Sequence, residues 1–324
     1  MAIPKVFIDG EAGTTGLQIY QRLADRRDLE VISIEPAKRK EASERAKLIN
    51  AADVAILCLP DDAAREAVSW VTNPQTKVLD ASTAHRTAEE WVYGFPEISV
   101  DQRSRIAAAS RVSNPGCYPT GFLTLMSPLV RSGLLPATFS ATVNAISGYS
   151  GGGKKLIAQY EGFRAEAPSA ESKSPYSPYG LGFGHKHVKE MQKYAGLHHA
   201  PLFVPAVGDF AQGMVVQVPL PLWSLEDPPT GEQLHEKLSA HYADEPFVPV
   251  APLNSKASLR DSNFFEAKSA NQTNEVQVFV FANDDTQEAL LVARLDNLGK
   301  GASGAAVQNL NIMLDLPENS GLTI

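Results

Sequence analysis

Short apolar runs alternate with helix-patterned stretches through the first third of the chain. Val6-Phe7-Ile8-Asp9, Val31-Ile32-Ser33-Ile34, Val54-Ala55-Ile56-Leu57-Cys58-Leu59 and Val78-Leu79-Asp80 read as four strands. Between them, Leu17, Tyr20 and Leu23 recur at helical spacing, and Glu41 to Asn50 is rich in Ala, Glu and Lys. Pro60 stops the third strand, and Asp61-Asp62 are expected to cap a helix reaching Trp70. Strands and helices alternating at this spacing predict a parallel, doubly wound sheet. After Cys117 the pattern changes. Ala141 to Ile146, Gly213 to Leu220 and Val276 to Phe281 alternate as strands. Ser147 to Gly184, rich in Gly, Ser, Pro and Tyr, reads as a loop that suits either a mobile lid or an ordered surface segment. Lys300 to Leu314 reads as a helix carrying Ala302, Ala305, Ala306, Leu310 and Leu314. The expected fold is α/β. A doubly wound domain spans residues 1–116, with the segment 296–324 packing back on it, and an α+β domain with a mixed or antiparallel sheet spans 117–295.

Composition narrows the classes. A length of 324 residues suits about two domains. The net charge of −8 argues against a nucleic-acid binder while leaving room for a locally positive site. Two cysteines, Cys58 and Cys117, make a disulfide framework or a cysteine-based zinc site implausible and fit a reducing cytosol. No apolar run approaches the roughly 20 residues of a membrane span. The start runs straight into a strand without a charged leader and apolar segment, so the expectation is a cytoplasmic protein with no membrane partner and no bound metal.

Three constellations carry chemistry. In Ser113-Asn114-Pro115-Gly116-Cys117-Tyr118-Pro119-Thr120, a thiol lies between a Pro-Gly turn and a proline able to open a helix. Unsatisfied N–H groups at a helix start stabilise a thiolate, which makes Cys117 a candidate nucleophile. The alternative is a buried small hydrophobe. Gly10-Glu11-Ala12-Gly13-Thr14-Thr15-Gly16 follows the first strand and opens a helix, as a pyrophosphate-binding turn does, although its Gly-x-x-Gly-x-x-Gly spacing departs from the usual fingerprint and a ligand-free turn remains open. After the second strand, Glu35 is followed by Lys38, Arg39 and Lys40, a run that leans towards the 2′-phosphate of NADP. Gly184-His185-Lys186-His187-Val188-Lys189-Glu190 offers histidines at i and i+2 that point to different sides, so one can serve a thiol as acid or base. A metal site built on this pair lacks a third strong ligand.

In these residues the chain resembles the N-acetyl-gamma-glutamyl-phosphate reductase family, in its shorter form. The resemblance rests on the glycine loop, Asp80-Ala81-Ser82-Thr83-Ala84-His85-Arg86, Tyr93-Gly94-Phe95-Pro96-Glu97, and Ser113 to Thr120. Further on it rests on Ser147-Gly148-Tyr149-Ser150-Gly151-Gly152-Gly153-Lys154, His185-Lys186-His187, Asp296 to Gly304 and Gln308-Asn309. It implies a Rossmann domain, a catalytic domain like that of aspartate-semialdehyde dehydrogenase, NADP(H) as cofactor, a small acyl-phosphate substrate and a homodimer or homotetramer. Carried over, Cys117 is the nucleophile, His185 the acid/base with Glu190 behind it, and His187 a reserve. Gly10, Gly13, Thr14, Thr15, Gly16, Ser33, Arg39, Ser82, Ser147 and Gly148 are expected at the cofactor. Arg86, Arg111, Asn114, Lys154 and His187 are expected at the substrate. Val188-Lys189 and the residues Tyr149 and Lys154 depart from longer relatives. The reaction implied is thioester-mediated reduction of an acyl phosphate. The rivals are an aspartyl or aminoadipyl phosphate reductase, a Cys/His hydrolase or acyltransferase, and a non-catalytic nucleotide-binding regulator.

Overall fold

The structure is a computed structural model describing residues 3–166 and 174–324. It divides into two compact units, one made of the chain up to Gly116 together with Ala302–Thr323, the other of Cys117–Gly301.

In the first unit six strands form a wholly parallel sheet: β1 (Lys5–Asp9), β2 (Glu30–Ile32), β3 (Val54–Leu57), β4 (Lys77–Asp80), β5 (Val92–Tyr93) and β6 (Arg111–Ser113), in the order β2-β1-β3-β4-β6-β5. The chain runs outward from the centre in both directions, which places a topological switch point between β1 and β3. The helices are α1 (Thr14–Leu23), α2 (Ala42–Ala51), α3 (Asp61–Ser69) and α4 (Gln102–Ala108). Period-two alternation sorts each strand between two cores. Val6, Ile8, Val54 and Ile56 face α1, α4 and the C-terminal helix Gly304–Met313, meeting Ile19, Ile106, Val307 and Leu310. Phe7, Ala55 and Leu57 face the other way, onto Ile49 of α2, Ala67 of α3 and Trp91. Both faces are covered, so the strands read as unbroken apolar runs. Asp61 and Asp62 do not cap α3. The cap position is Pro60, and the Asp61 carboxylate instead accepts the Thr83 N–H at 3.0 Å.

In the second unit a mixed sheet has the order β11-β12-β10-β7-β9-β8. Its strands are β7 (Thr142–Gly148), β8 (Tyr176–Pro178), β9 (Leu202–Gly208), β10 (Met214–Pro221), β11 (Val276–Asn283) and β12 (Glu288–Leu295). Only β7 and β9 pair in parallel. The helices are α5 (Cys117–Arg131), α6 (Gly153–Glu166), α7 (Val188–Ala195) and α8 (Gly231–His241). Every residue of α5 from Tyr118 to Val130 is buried. Gly121 lets the helix lie flush on the sheet, since a Cβ there would stand 2.7 Å from a Val216 methyl. Pro128 inside α5 removes the N–H that would bond the Thr124 carbonyl, and the Tyr242 hydroxyl donates to that carbonyl at 2.8 Å instead. A buried carbonyl left unpaired costs about 1–3 kcal/mol, and Tyr242 offsets this.

Two further expectations change. The span 147–184 is not a loop: β7 runs to Gly148, a 3₁₀ turn covers Tyr149–Gly152, and α6 and β8 follow, with 167–173 outside the described residues. The tail joins the first unit from Ala302 rather than from Asp296, because Asp296 is fixed in the second unit, its carboxylate accepting the N–H groups of Gln272 and Leu298 at 2.9 Å each.

Candidate active site

Cys117 is the first residue of α5, so its thiol stands at the positive end of a long buried helix. Around it the second unit gathers a chain of hydroxyl and imidazole groups. His185 Nδ1 accepts the backbone N–H of His187 at 3.2 Å, which leaves the proton of the neutral ring on Nε2. Nε2 meets the Tyr179 hydroxyl at 3.4 Å. Tyr179 donates to Tyr118 at 3.3 Å, and Tyr118 donates to the Ala206 carbonyl at 3.2 Å. Burial, and secondarily the charge of Lys186, hold His185 below the ordinary histidine value. Burial pushes Tyr179 up to about 12, and Tyr118 higher, with the charge of Cys117 adding to both. Both phenols therefore stay protonated donors, and the thiol lies within electrostatic reach of the pair that contacts His185. The rings of His185 and His187 meet edge to face at 4.7 Å, and Phe203 lies 5.1 Å from His185. His187 is buried at the N-cap of α7, and Glu190, also buried, sits in that helix's first turn.

The remaining expected residues of this unit divide. Ser147 is buried at the end of β7, its hydroxyl donating to the Gly148 carbonyl at 3.1 Å. Gly148 is required by the fold, since a Cβ there would stand 2.4 Å from the Ala211 carbonyl. Lys154 is exposed in the first turn of α6.

In the first unit the glycine loop joins β1 to α1. Gly10 has φ +90° and a Cβ on it would stand 2.3 Å from the Cys58 carbonyl; one on Gly16 would stand 2.4 Å from the Gly10 carbonyl. These two glycines are demanded by the turn itself. At Gly13 the nearest atom would be 3.2 Å away, so its bare Cα leaves room for close approach from outside. Thr14, Thr15 and Gly16 begin α1, which has no side-chain cap and so offers backbone donors to a phosphate. Ser33 is exposed after β2. Arg39 pairs with Glu11 of the loop itself at 2.6 Å, which brings its guanidinium to the same turn. The residues fit a dinucleotide.

Two expected ligands are engaged in the fold. The Ser82 hydroxyl donates to Asp80 at 2.7 Å and accepts the Ala84 N–H at 3.1 Å, while the same Asp80 oxygen holds His85 Nδ1 at 2.7 Å. The Asn114 amide donates to the Ala302 carbonyl at 3.0 Å and accepts from Asn309 Nδ2 at 3.1 Å. Asn114 is thus a tether between β6 and the C-terminal helix rather than an open substrate contact. Arg111 lies 5.9 Å over the Trp91 ring, which stacks on His85 at 4.2 Å. Arg86 is buried, donating to the Ala81 carbonyl at 3.1 Å. Among the described residues no cluster suits a metal ion and no helix is long and apolar enough to cross a membrane.

Residues 5–107 match the family model for the NAD binding domain of semialdehyde dehydrogenases, and residues 117–297 the model for their dimerisation domain. A protein of Nostoc sp. named N-acetyl-gamma-glutamyl-phosphate reductase 2 is 64% identical over 319 residues, covering 98% of this chain and 99% of its own length. The chain belongs to the N-acetyl-gamma-glutamyl-phosphate reductase family. A Mesorhizobium japonicum member is 55% identical, with 97% of this chain and 99% of that protein covered. The fold is shared with aspartate semialdehyde dehydrogenase II of Vibrio cholerae, at a TM-score of 0.73 and 15% identity, covering 97% and 99% of the two chains.

Sequence reasoning about this reductase family member missed Tyr118 and Tyr179. Tyr118 follows Cys117, but its buried hydroxyl reveals itself only through Tyr179 and Ala206. The two cysteines also differ sharply. Cys58 is half-buried, but burial of its thiol, then the charges of Asp80 and Asp9, push it up to about 12. At pH 8 iodoacetamide is expected to label Cys117 and leave Cys58 unmodified in the folded protein, read by peptide mass mapping; equal labelling would contradict the shielding of Cys58.

Proposed function

We propose that the protein reduces N-acetyl-L-glutamyl 5-phosphate to N-acetyl-L-glutamate 5-semialdehyde and phosphate, the NADPH-dependent step of arginine biosynthesis for which its relatives are named. The observation that carries this reading is a cysteine at the first position of a buried helix, within electrostatic reach of the Tyr179 hydroxyl that meets a tautomer-fixed histidine, in a chain 64% identical to such a reductase. The Cys117 thiolate attacks the acyl-phosphate carbon, the C–O bond to phosphate breaks, and a thioester forms on Cys117. Backbone N–H groups at the start of α5 stabilise the oxyanion. When bound in the first unit, NADPH would supply a hydride to the thioester carbon. His185 Nε2–H hydrogen-bonds the resulting alkoxide, and collapse returns the thiolate and releases the aldehyde. One proton taken from solvent ends on the departing phosphate. Gly10, Gly13, Thr14, Thr15 and Gly16 would hold the dinucleotide, with Ser33 and Arg39 serving a 2′-phosphate; His187 and Glu190 support the substrate side, and Arg86 and Lys154 supply positive charge. The protein acts in the cytoplasm as a homodimer or homotetramer, for which the dimerisation-domain match is the support.

The test runs the reaction backwards. Purified protein with N-acetyl-glutamate semialdehyde and NADP is expected to produce NADPH at 340 nm (approximately the nicotinamide band) only when phosphate is present. Equal or faster turnover of aspartate semialdehyde would shift the substrate to the aspartyl analogue. Turnover without phosphate would contradict the acyl-phosphate chemistry.

A further inference from the structure

The turn that abuts the nucleophile is a single π-helical one, Gly299–Ser303. Such turns are rare and cluster at functional sites. It is fixed from behind within the second unit. The Gly301 N–H donates to the Asp296 carbonyl at 3.0 Å, and Asp296 is itself fully buried. Lys300 is buried too, its ammonium 5.5 Å over the Phe247 ring. A Cβ built on Gly301 would stand 2.9 Å from Cys117 Cβ and 3.4 Å from Cys117 Cα. Real Cβ atoms do not approach so closely, and neither Cys117 atom can rotate away, because both are placed by the backbone. Gly301 lies outside the left-handed region, so alanine is conformationally allowed there. The obstacle is contact, with Cys117 first and the Asp296 carbonyl at 3.1 Å second. Neighbouring glycines serve other ends: on Gly299 the added atom would meet the Thr273 carbonyl, and on Gly121 a Val216 methyl.

We infer that Gly301 is a positioning residue for Cys117: its missing side chain fixes where the Cα–Cβ bond of the nucleophile stands and so where Sγ is aimed. This rests on the reading of Cys117 as the attacking group. A displacement of a few tenths of an ångström at a reacting atom is enough to lose about tenfold in rate, since about 1 Å can cost a hundredfold.

The test is Gly301→Ala, read four ways: kcat in the phosphate-dependent assay, the second-order rate of Cys117 alkylation by iodoacetamide, the Kd of NADP, and the thermal midpoint with and without Cys117→Gly. Expected are a fall in kcat of about tenfold, a changed alkylation rate, an unchanged Kd, and a smaller loss of thermal midpoint when residue 117 carries no Cβ. Wild-type kcat and alkylation in Gly301→Ala would overturn the inference, as would an equal loss of midpoint in both backgrounds. If Gly301→Ala alone does not fold, recovery of folding in Cys117→Gly/Gly301→Ala supports the contact, and failure of that double variant overturns it. A wild-type protein silent on N-acetyl-glutamate semialdehyde, with alkylation still altered in Gly301→Ala, sinks the substrate assignment and leaves the inference standing.

Discussion

Cys117→Ala is expected to abolish phosphate-dependent reduction of NADP, by roughly 10⁴-fold or more, as removal of a covalent nucleophile does elsewhere. The protein should remain folded and bind NADP as before. Cys117 is the one residue of α5 before Arg131 that is not fully buried, so the substitution removes a reactive atom without opening a deep cavity. The glycine loop belongs to the other compact unit and is built by its own contacts, with the Gly13 N–H on the Gly10 carbonyl at 2.9 Å. A second measurement isolates the covalent step. Wild-type protein mixed with the acyl phosphate in the absence of NADPH should release about one phosphate per site as the thioester accumulates, because the intermediate then has no hydride to accept. Cys117→Ala should release none. Full turnover in the alanine variant would sink the thioester route, and loss of NADP binding would show that the variant had failed as a fold.

The parallel half of the fold was legible because both of its faces are buried. Val54-Ala55-Ile56-Leu57 is apolar throughout, and its even and odd residues go to separate cores. The second unit was less legible, for reasons visible in particular residues. Apart from Val292, Glu288–Leu295 is built of Glu, Ala, Leu and Arg, good helix formers, yet pairing with β10 and β11 along its whole length makes it a strand. Leu202–Gly208 contains Pro205, which reads as a breaker, although its carbonyl is used by the Tyr179 N–H at 3.0 Å. α6 was hidden because Tyr160 is its one buried residue, so no apolar stripe announces it, and Gly151-Gly152-Gly153 before it reads as loop. The helix-start position of Cys117 was legible from the Pro-Gly turn before it and the apolar run after it, and the His185/His187 pair from its spacing. The hydroxyl chain was not: Tyr118 and Tyr179 are brought together by β8 pairing with β9, which no local pattern encodes. Asn114 shows the converse. Its place beside the Pro-Gly-Cys turn suggested a ligand, while Ala302 and Asn309, far away in sequence, take up its amide.

His185→Ala is expected to lower kcat/KM by about 10²–10³, the range for loss of one hydrogen-bond donor to a developing oxyanion. The pH profile identifies the ring as well as the rate does. The working form is neutral, with Nδ1 accepting the His187 N–H and Nε2 carrying the proton. Burial and Lys186 lower its folded pKa from 6.5. As pH falls through that lowered value the ring gains a proton on Nδ1, and the bond from His187 is lost. The acid limb of kcat/KM in the wild type should therefore lie below pH 6.5 and disappear in His185→Ala. Stability follows the same sign. The unfolded chain takes up the proton first, at about 6.5, so the contribution of His185 is present above that pH and is lost as pH falls from there towards the folded value. His187→Ala is the discriminating comparison. His187 is 7% exposed and its ring packs edge to face on His185 at 4.7 Å, so a structural role predicts a lower thermal midpoint with the acid limb retained. If His187→Ala instead removes the acid limb at an unchanged midpoint, while His185→Ala keeps it, the proton-handling role belongs to His187 and the Tyr179–His185 chain serves to hold substrate.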